Sequence, residues 1–347
     1  MGLLDLLLGT DPNDDSLKVP EATLTKDLSG KTYIVTGGNG GIGFSTSRQL
    51  AKQNATVVLA CRRLTAGEDS KEKILAETPE AKVDVMALDV SSLKSVKEFA
   101  EAFNGKYDKL HCLLNNAGIM NTPEGSTTDG FEIQFGTNHV GPFLLTELLL
   151  PKLKASAPSR VVCTSSCYAD DKDASTKAKI HFEEDFMKRG EGAKPYDGWA
   201  AYLQSKLANL LHAQELSDRL KGTGVAVVAL HPGFVESNLL SHTVPLAVQS
   251  LIKPILVRKN GMITPENGAQ TSMYCCIDDD IMDEAKRGCG FYSQAKSPKD
   301  QYPSRPELRV GGWPLAQVPN PLADDAAYGK KLYTEVVKQL NGLGYTW

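Results

Sequence analysis

The segment Thr36-Gly37-Gly38-Asn39-Gly40-Gly41-Ile42-Gly43 follows a β-rich run, Thr32–Thr36, and leads into a helix-like stretch, Phe44–Lys52. A turn without Cβ atoms lets a pyrophosphate approach the backbone. The anion then sits on the helix N-terminus, where free N–H groups and the helix dipole favour it. Glycine clusters also build plain turns, but a strand before and a helix after are the context a nucleotide site requires. Gly37, Asn39, Gly41, Ile42 and Gly43 are the expected contact residues. The next strand candidate, Thr56–Ala60, runs into Cys61-Arg62-Arg63. A site for an unmodified adenosine ribose carries Asp or Glu there. This chain has two guanidiniums, of which Arg62, helped by Arg63, suits a ribose 2′-phosphate. The alternative is a pair of solvated arginines at a loop mouth. NADP(H) is the expected cofactor. A third strand candidate ends Leu88-Asp89-Val90. Asp89 is placed either to bind an adenine amine or to cap the next helix, and Val90 lies beside it.

These residues need a scaffold, and the apolar patterning supplies one. Strand candidates continue with Val83–Leu88, Leu110–Leu114, Arg160–Thr164 and Val225–Leu230. Helical stretches alternate with them at Glu68–Glu77, Ser92–Phe103, Phe131–Leu153 and Ala200–Leu220. Strict alternation predicts an α/β fold, a parallel sheet with helices on both faces. Residues 167–199 are a long polar interruption, rich in Asp, Lys and Gly. Residues 297–323 hold six prolines and read as irregular C-terminal wrapping.

Composition narrows the class. The chain has 347 residues, 41% of them hydrophobic, with 38 basic and 42 acidic side chains and a net charge of −4. That balance excludes a polybasic nucleic-acid binder, and no window is apolar for the length of a membrane span. The seven cysteines are odd in number and form no C-x-x-C, so a reducing compartment is expected and a zinc ribbon is not. The six histidines show no metal-binding spacing, and no metal is expected. Met1–Leu8 (MGLLDLLL) lacks a basic n-region and precedes Asp11, Asp14 and Asp15, unlike a secretory signal. It reads as a short docking helix, with weak membrane-surface attachment as the alternative.

Several independent motifs now resemble one family. They are Thr36–Gly43, Asn115-Asn116-Ala117-Gly118, Ser166, and Tyr202-x-x-x-Lys206. Together they resemble the short-chain dehydrogenase/reductase superfamily. The finer wording is similar to its retinol-dehydrogenase-like and WW-domain-oxidoreductase-like branch: LACRR (59–63), NNAGIM (115–120), TNHVGPFLLT (137–146), YLQSKLANLLHAQEL (202–216) and HPGFVESNL (231–239). The resemblance covers about residues 28–295 and implies a single Rossmann-type doubly wound domain. The expected organisation is an extension at 1–27, a domain at 28–296 and an extension at 297–347. Within the domain, an insertion occupies 167–199 and a substrate-binding region 237–288.

The resemblance implies four catalytic residues. Tyr202 would be the general acid/base. An unassisted phenol, with pKa about 10, is a weak base at neutral pH. Lys206 lies one helical turn on and would stabilise the phenolate and bind the nicotinamide ribose. Ser166 would donate to the substrate carbonyl oxygen. Asn138 would hold a water linking Lys206 to solvent. Tyr-x-x-x-Lys also occurs at Tyr168–Lys172 and Tyr292–Lys296, but only Tyr202 opens a convincing helix. Ser165 and Thr164 read as strand-end packing. The resemblance gives Asn116, Ala117 and Gly118 a structural role with some nicotinamide-side contact. It places Pro232, Gly233 and Val235 beside the nicotinamide, and gives Ser237 a hydroxyl for the carboxamide or pyrophosphate. His139 and His231 read as structural or surface histidines.

Ser166 and Tyr202 are 36 residues apart, farther than in ordinary members. The insertion would cover a helix face that many relatives use to dimerise, which leaves monomer or homodimer as the expected states, or fold over the substrate as a lid. Its aromatic residues Phe182, Phe186, Tyr196 and Trp199 would line an apolar pocket or anchor the loop. Apolar residues from Leu239 to Val257 suggest a bulky hydrophobic substrate. The expected function is NADP(H)-dependent interconversion of a carbonyl and an alcohol on a retinoid-, steroid- or lipid-like molecule. The alternatives are reduction of a C=C bond and an NADP(H)-sensing scaffold. The expected setting is cytoplasmic, at most peripheral to a membrane, with no nucleic-acid partner.

Overall fold

A computed structural model describes residues 18–166, 195–236, 253, 257, 262–286, 288–293, 322–323 and 325–347. The runs at 32–36, 56–60 and 83–88 become β1 (Thr32–Thr36), β2 (Thr56–Cys61) and β3 (Lys82–Ala87). They are followed by β4 (Cys112–Asn115), β5 (Ser159–Thr164), β6 (Val225–His231) and β7 (Phe291–Ser293). All pair in parallel, in the order β3-β2-β1-β4-β5-β6-β7. Alternate strand residues serve opposite faces. Ile34, Val58, Leu113, Val161 and Val227 enter one apolar core, while Val35, Val57, Leu114, Val162 and Val228 enter the other.

Helices cover both faces, as the alternation predicts. On the first face lie α3 (Leu93–Lys106), α4 (Gly141–Ala155), α5 (Gly198–Arg219) and α7 (Ala326–Gly342). On the second lie α1 (Gly41–Lys52), α2 (Leu64–Glu77) and α6 (Pro265–Ile277). The fold is the expected doubly wound sheet. The chain runs outward through β2 and β3, then returns to β4 on the other side of β1. That reversal opens a crevice at the C-terminal ends of β1 and β4, the usual place for a ligand in such sheets.

Two details depart from the expected elements. The stretch read as one helix over 131–153 is a short helical turn, Ile133–Phe135, then a π-helical turn, Gly136–Val140, then α4. Such π turns insert one residue and re-aim the side chains around them. The turn comes very close to the loop after β3: a Cβ on Gly141 would lie 1.9 Å from the Val90 carbonyl oxygen. Trp199, assigned to the insertion, already belongs to α5. The Asp197 carboxylate caps that helix, accepting from Trp199 N and Ala200 N.

Gly141→Ala forces α4 off that loop or the loop off the sheet. It is expected to cost about 3 kcal/mol or more of stability. Urea unfolding checks this, and a wild-type midpoint would show that the π turn yields freely.

Candidate active site

The N-terminus of α1 is built to receive an anion. No side chain caps it and no acidic residue stands in its first turn. A Cβ at Gly40 or Gly41 would meet nothing within 4 Å. Gly41 has φ +49°, backbone that favours glycine. Gly37, at φ +65°, continues β1 by donating its N–H to the Ala60 carbonyl at 2.8 Å. Gly43 is required for packing, since a Cβ there would lie 2.3 Å from the Gly37 oxygen. The Asn39 carbonyl accepts from Ser70 Oγ at 3.0 Å, tying the turn to α2. Ile42 packs toward the second core. Open space above uncapped N–H groups fits a pyrophosphate.

Arg62 and Arg63 are exposed just past β2, and neither forms an ion pair with a described residue. Asp89 does not cap α3; Ser92 does, by accepting from Ser95 N. The Asp89 carboxylate instead accepts from Ser91 N at 2.9 Å and from Ser91 Oγ at 2.6 Å. Val90 is buried, its carbonyl against Gly141.

Thr36 joins the two sides of the crevice. Its hydroxyl donates to the Leu114 carbonyl at 3.3 Å and receives the N–H groups of Asn116 and Ala117, each at 2.9 Å. The Asn116 amide donates back to the Thr36 carbonyl at 2.9 Å. These bonds give Asn116 and Ala117 a structural role. Gly118 sits between Asn138 and Lys206: a Cβ there would lie 3.0 Å from Asn138 Oδ1 and 3.6 Å from Lys206 Nζ.

Asn138, Ser166, Tyr202 and Lys206 are all buried at this crevice, none more than 7% exposed. Asn138 lies on the π turn. Its side chain accepts from Ile119 N at 2.8 Å and donates to the Ile119 carbonyl and Ser205 Oγ, each at 2.9 Å. Lys206 is one turn beyond Tyr202 on α5, and its Nζ lies 5.7 Å from the Tyr202 ring centre. That Nζ donates to the Thr164 carbonyl at 3.1 Å, while Ser165 Oγ donates to the Lys206 carbonyl at 2.7 Å. This reciprocal pair locks α5 to the end of β5, placing Ser166 beside Lys206. Thr164 and Ser165 are thus more than strand-end packing. Burial pushes the Lys206 amine down to about 8, with Cys163 opposing the shift. His231 is also buried, held down to about 3 by burial and then by the Lys206 charge.

The start of α5 is clamped from the loop before the π turn. Tyr196 OH donates to Glu132 Oε1 at 2.8 Å, and Gln134 Nε2 donates to Tyr196 OH and the Gly198 carbonyl, each at 2.8 Å. Tyr196 therefore anchors the helix. Trp199 instead joins an apolar cluster with Met120, Tyr202, Val257 and Met262, its ring edge-on to Tyr202 at 6.3 Å.

Beyond β6, Gly233 turns at φ +94° beside Pro232. Val235 is buried and bridges Ile263. Ser237 lies outside the described residues, as do Tyr168, Lys172, Phe182, Phe186, Lys296 and nearly all of Leu239–Val257. Tyr292 of the third Tyr-x-x-x-Lys pair sits buried on β7. Among the described residues, no helix is long and apolar enough to cross a membrane.

The short chain dehydrogenase family pattern matches residues 31–178. Retinol dehydrogenase 11 of Homo sapiens is 42% identical over 259 residues, 75% of this chain and 76% of that protein. Retinol dehydrogenase 12 of Mus musculus is 43% identical over 260 residues, 75% of this chain and 77% of that protein. A crystal structure of an uncharacterized protein from Mycobacterium paratuberculosis superposes with a TM-score of 0.65 at 31% identity, covering 91% of this chain and 96% of that one. Fold and site define a Rossmann-type oxidoreductase. The chain belongs to the short-chain dehydrogenase/reductase superfamily, in its retinol-dehydrogenase-like branch.

The folded Lys206 amine titrates near 8, below the 10.5 of an ordinary lysine. Between those values the unfolded chain binds more protons, so stability rises with pH. At pH 7 the folded protein bears the full cost of the buried charge. Cofactor-free Lys206→Met is therefore expected to be more stable than wild type at pH 7, by about 1–3 kcal/mol. The difference should shrink from pH 8 to 10.5. Urea unfolding at pH 7 and pH 10.5 measures it, and equal stabilities at pH 7 would contradict a net cost of burying that charge.

Proposed function

We propose that this protein interconverts a carbonyl and an alcohol on a hydrophobic substrate, using NADP(H). The observation that carries this reading is the position of Tyr202. One turn of α5 sets Lys206 beside it, and the same ring forms part of an apolar wall with Met120, Trp199, Val257 and Met262. A bound nicotinamide dinucleotide supplies or accepts the hydride. The residues of this chain do the rest. The α1 N-terminus and its glycines hold the pyrophosphate. Arg62, exposed and in no ion pair among the described residues, would meet the ribose 2′-phosphate, and the absence of a carboxylate at the end of β2 removes the group that would repel it. Asp89 would contact the adenine, and Pro232, Gly233 and Val235 the nicotinamide, with Ser237, which lies outside the described residues, assigned to the same end of the cofactor.

In the reducing direction, Tyr202 gives its phenolic proton to the carbonyl oxygen. The Lys206 charge stabilises the phenolate left behind. Ser166 donates a hydrogen bond to the same oxygen as negative charge grows there. Asn138, fixed on the Ile119 backbone, holds the water through which Lys206 exchanges protons with solvent. The apolar wall receives the body of a retinoid-, steroid- or lipid-like aldehyde, ketone or alcohol. The two retinol dehydrogenases similar to this chain support that class by their names.

The test is consumption of NADPH and NADH by purified protein over a panel of apolar aldehydes, ketones and quinones. Tyr202→Phe should lose turnover by about a thousandfold or more while still binding NADPH. Near-wild-type turnover in that variant would remove Tyr202 as the acid/base. Tight NADPH binding without turnover of any carbonyl by wild type would favour the C=C reductase or scaffold instead.

Arg62→Asp places a carboxylate against the 2′-phosphate. It should weaken NADPH binding by about a hundredfold and leave NADH nearly unchanged. Titration of both cofactors by protein fluorescence measures this, and equal losses would remove Arg62 as the selector.

A further inference from the structure

Asn209 stands three residues beyond Lys206 and seven beyond Tyr202, so one stripe of α5 carries all three. His139 follows Asn138 on the π turn. Neither touches the positions assigned to substrate or cofactor, yet the two form a chain that ends at Lys206. Asn209 Nδ2 donates to the Thr164 carbonyl oxygen at 3.2 Å. That oxygen also accepts from Lys206 Nζ at 3.1 Å. Asn209 Oδ1 lies 3.2 Å from His139 Nδ1. An amide that donates through nitrogen accepts through oxygen, so the contact selects the His139 tautomer protonated on Nδ1. The His139 ring is packed against Phe135 at 5.0 Å, Phe143 at 6.0 Å and His212 at 5.8 Å. Asn209, Thr164 and His139 are all buried.

We propose that Asn209, backed by His139, is a positioning residue for the catalytic lysine: it aims the Thr164 carbonyl at the Lys206 ammonium. The inference rests on the reading of Lys206 given above. Thr164 is the last residue of β5, and the sheet holds its peptide unit from one side only, through the Ser165 N–H donated to the Leu230 carbonyl at 2.7 Å. A second donor from a rigid helix holds it. Asn209 in turn is oriented by an imidazole that has one rotamer's worth of space among aromatic rings. Loss of either partner leaves that single sheet bond to hold the peptide and lets the carbonyl tilt, and an ammonium with a misaligned acceptor is less well held in its charged form.

Four titratable groups in this region do not confuse the Lys206 titration, and the coupled phenol of Tyr202 is controlled for by repeating the titrations in the Tyr202→Phe background. Cys163 on β5 is pushed up to about 12 and His231 on β6 down to about 3. His139 on the π turn is down to about 4, and His212 on α5 is also well below its ordinary value. All four are uncharged from pH 6 to 10. Tyr202, Gly118 and Asn138 complete the surroundings.

The experiment uses the full chain as Asn209→Leu, His139→Phe and His139→Asn. Leucine has nearly the shape of asparagine without its donor or acceptor. The His139→Asn amide nitrogen falls near the imidazole Nδ1 and keeps the donor. The lysine 13Cε signal, assigned by its loss in Lys206→Arg, reports the titration of Lys206 whether or not a substrate is known. Asn209→Leu is expected to lower its midpoint by about one pH unit and kcat by about tenfold, with KM changed less than about twofold. His139→Phe should move both in the same direction, and His139→Asn should restore them. If Asn209→Leu does not fold, the comparison of His139→Phe with His139→Asn decides. A Lys206 midpoint unchanged in Asn209→Leu, or in His139→Phe where that comparison decides, overturns the proposal. If wild type turns over no carbonyl but the midpoint shifts as stated, the positioning role stands and the reductase reading falls.

Discussion

A lysine ammonium has to be kept inside the protein, and much of the site follows from that. Lys206 is only 5% exposed, so burial opposes its charge, and an isolated buried ammonium would simply lose its proton. The chain meets the cost locally. Nζ donates to the Thr164 carbonyl, and the helix that carries it is fastened back to the same strand end by Ser165 Oγ. Gly118 leaves the space in which Asn138 and Lys206 approach each other. A larger residue at 118 would fill that space. The site is therefore a set of concessions around one charge.

The sheet explains why this charge lies beside a nucleotide cradle. Parallel strands all point their carbonyl ends to one edge, and the order of strands reverses between β1 and β4. The helices that follow those strands start from that edge, so an uncapped helix N-terminus and a lysine-bearing helix open on the same crevice. The Thr36 hydroxyl, bonded to both Asn116 N and Ala117 N, keeps its two walls in register. Glycine at 37, 40, 41 and 43 leaves one wall bare for an anion. Tyr202, Lys206 and Asn138 line the other wall, where the proposed proton chemistry would take place.

Much of this architecture was legible in the amino-acid pattern. The strands β1, β2, β5 and β6 were visible within about a residue because fully buried parallel strands are short β-branched and apolar runs bounded by turns. Tyr202 was separable from Tyr168 and Tyr292 because only it leads a helical stretch. The π turn was not legible, since a π turn and an α turn carry the same apolar spacing over five residues. Nor was the Asp89 bond to Ser91, which competes locally with capping and depends on the backbone turn. Asn209 was within reach: its spacing of three from Lys206 puts it on the catalytic stripe. What hid it was its acceptor, a main-chain carbonyl, which no residue type announces. The roles of Ser165 and Thr164 were concealed in the same way, through backbone atoms.

The apolar wall couples substrate choice to chemistry more tightly than a separate pocket would. Met120 comes from the loop after β4, Trp199 from the first turn of α5, and Val257 and Met262 from the segment before α6. None of these positions is fixed by the sheet, so each is free to vary without moving Lys206. The Tyr202 ring belongs to both sets: it is part of the wall, and in the proposed reaction its hydroxyl carries the proton. A substrate with an apolar body covers that ring and excludes water from the phenol. A small polar carbonyl leaves the ring wet and the acid solvated. Under the proposed reaction, hydrophobic substrates would gain rate as well as affinity, because the same contact that binds them would dry the proton donor.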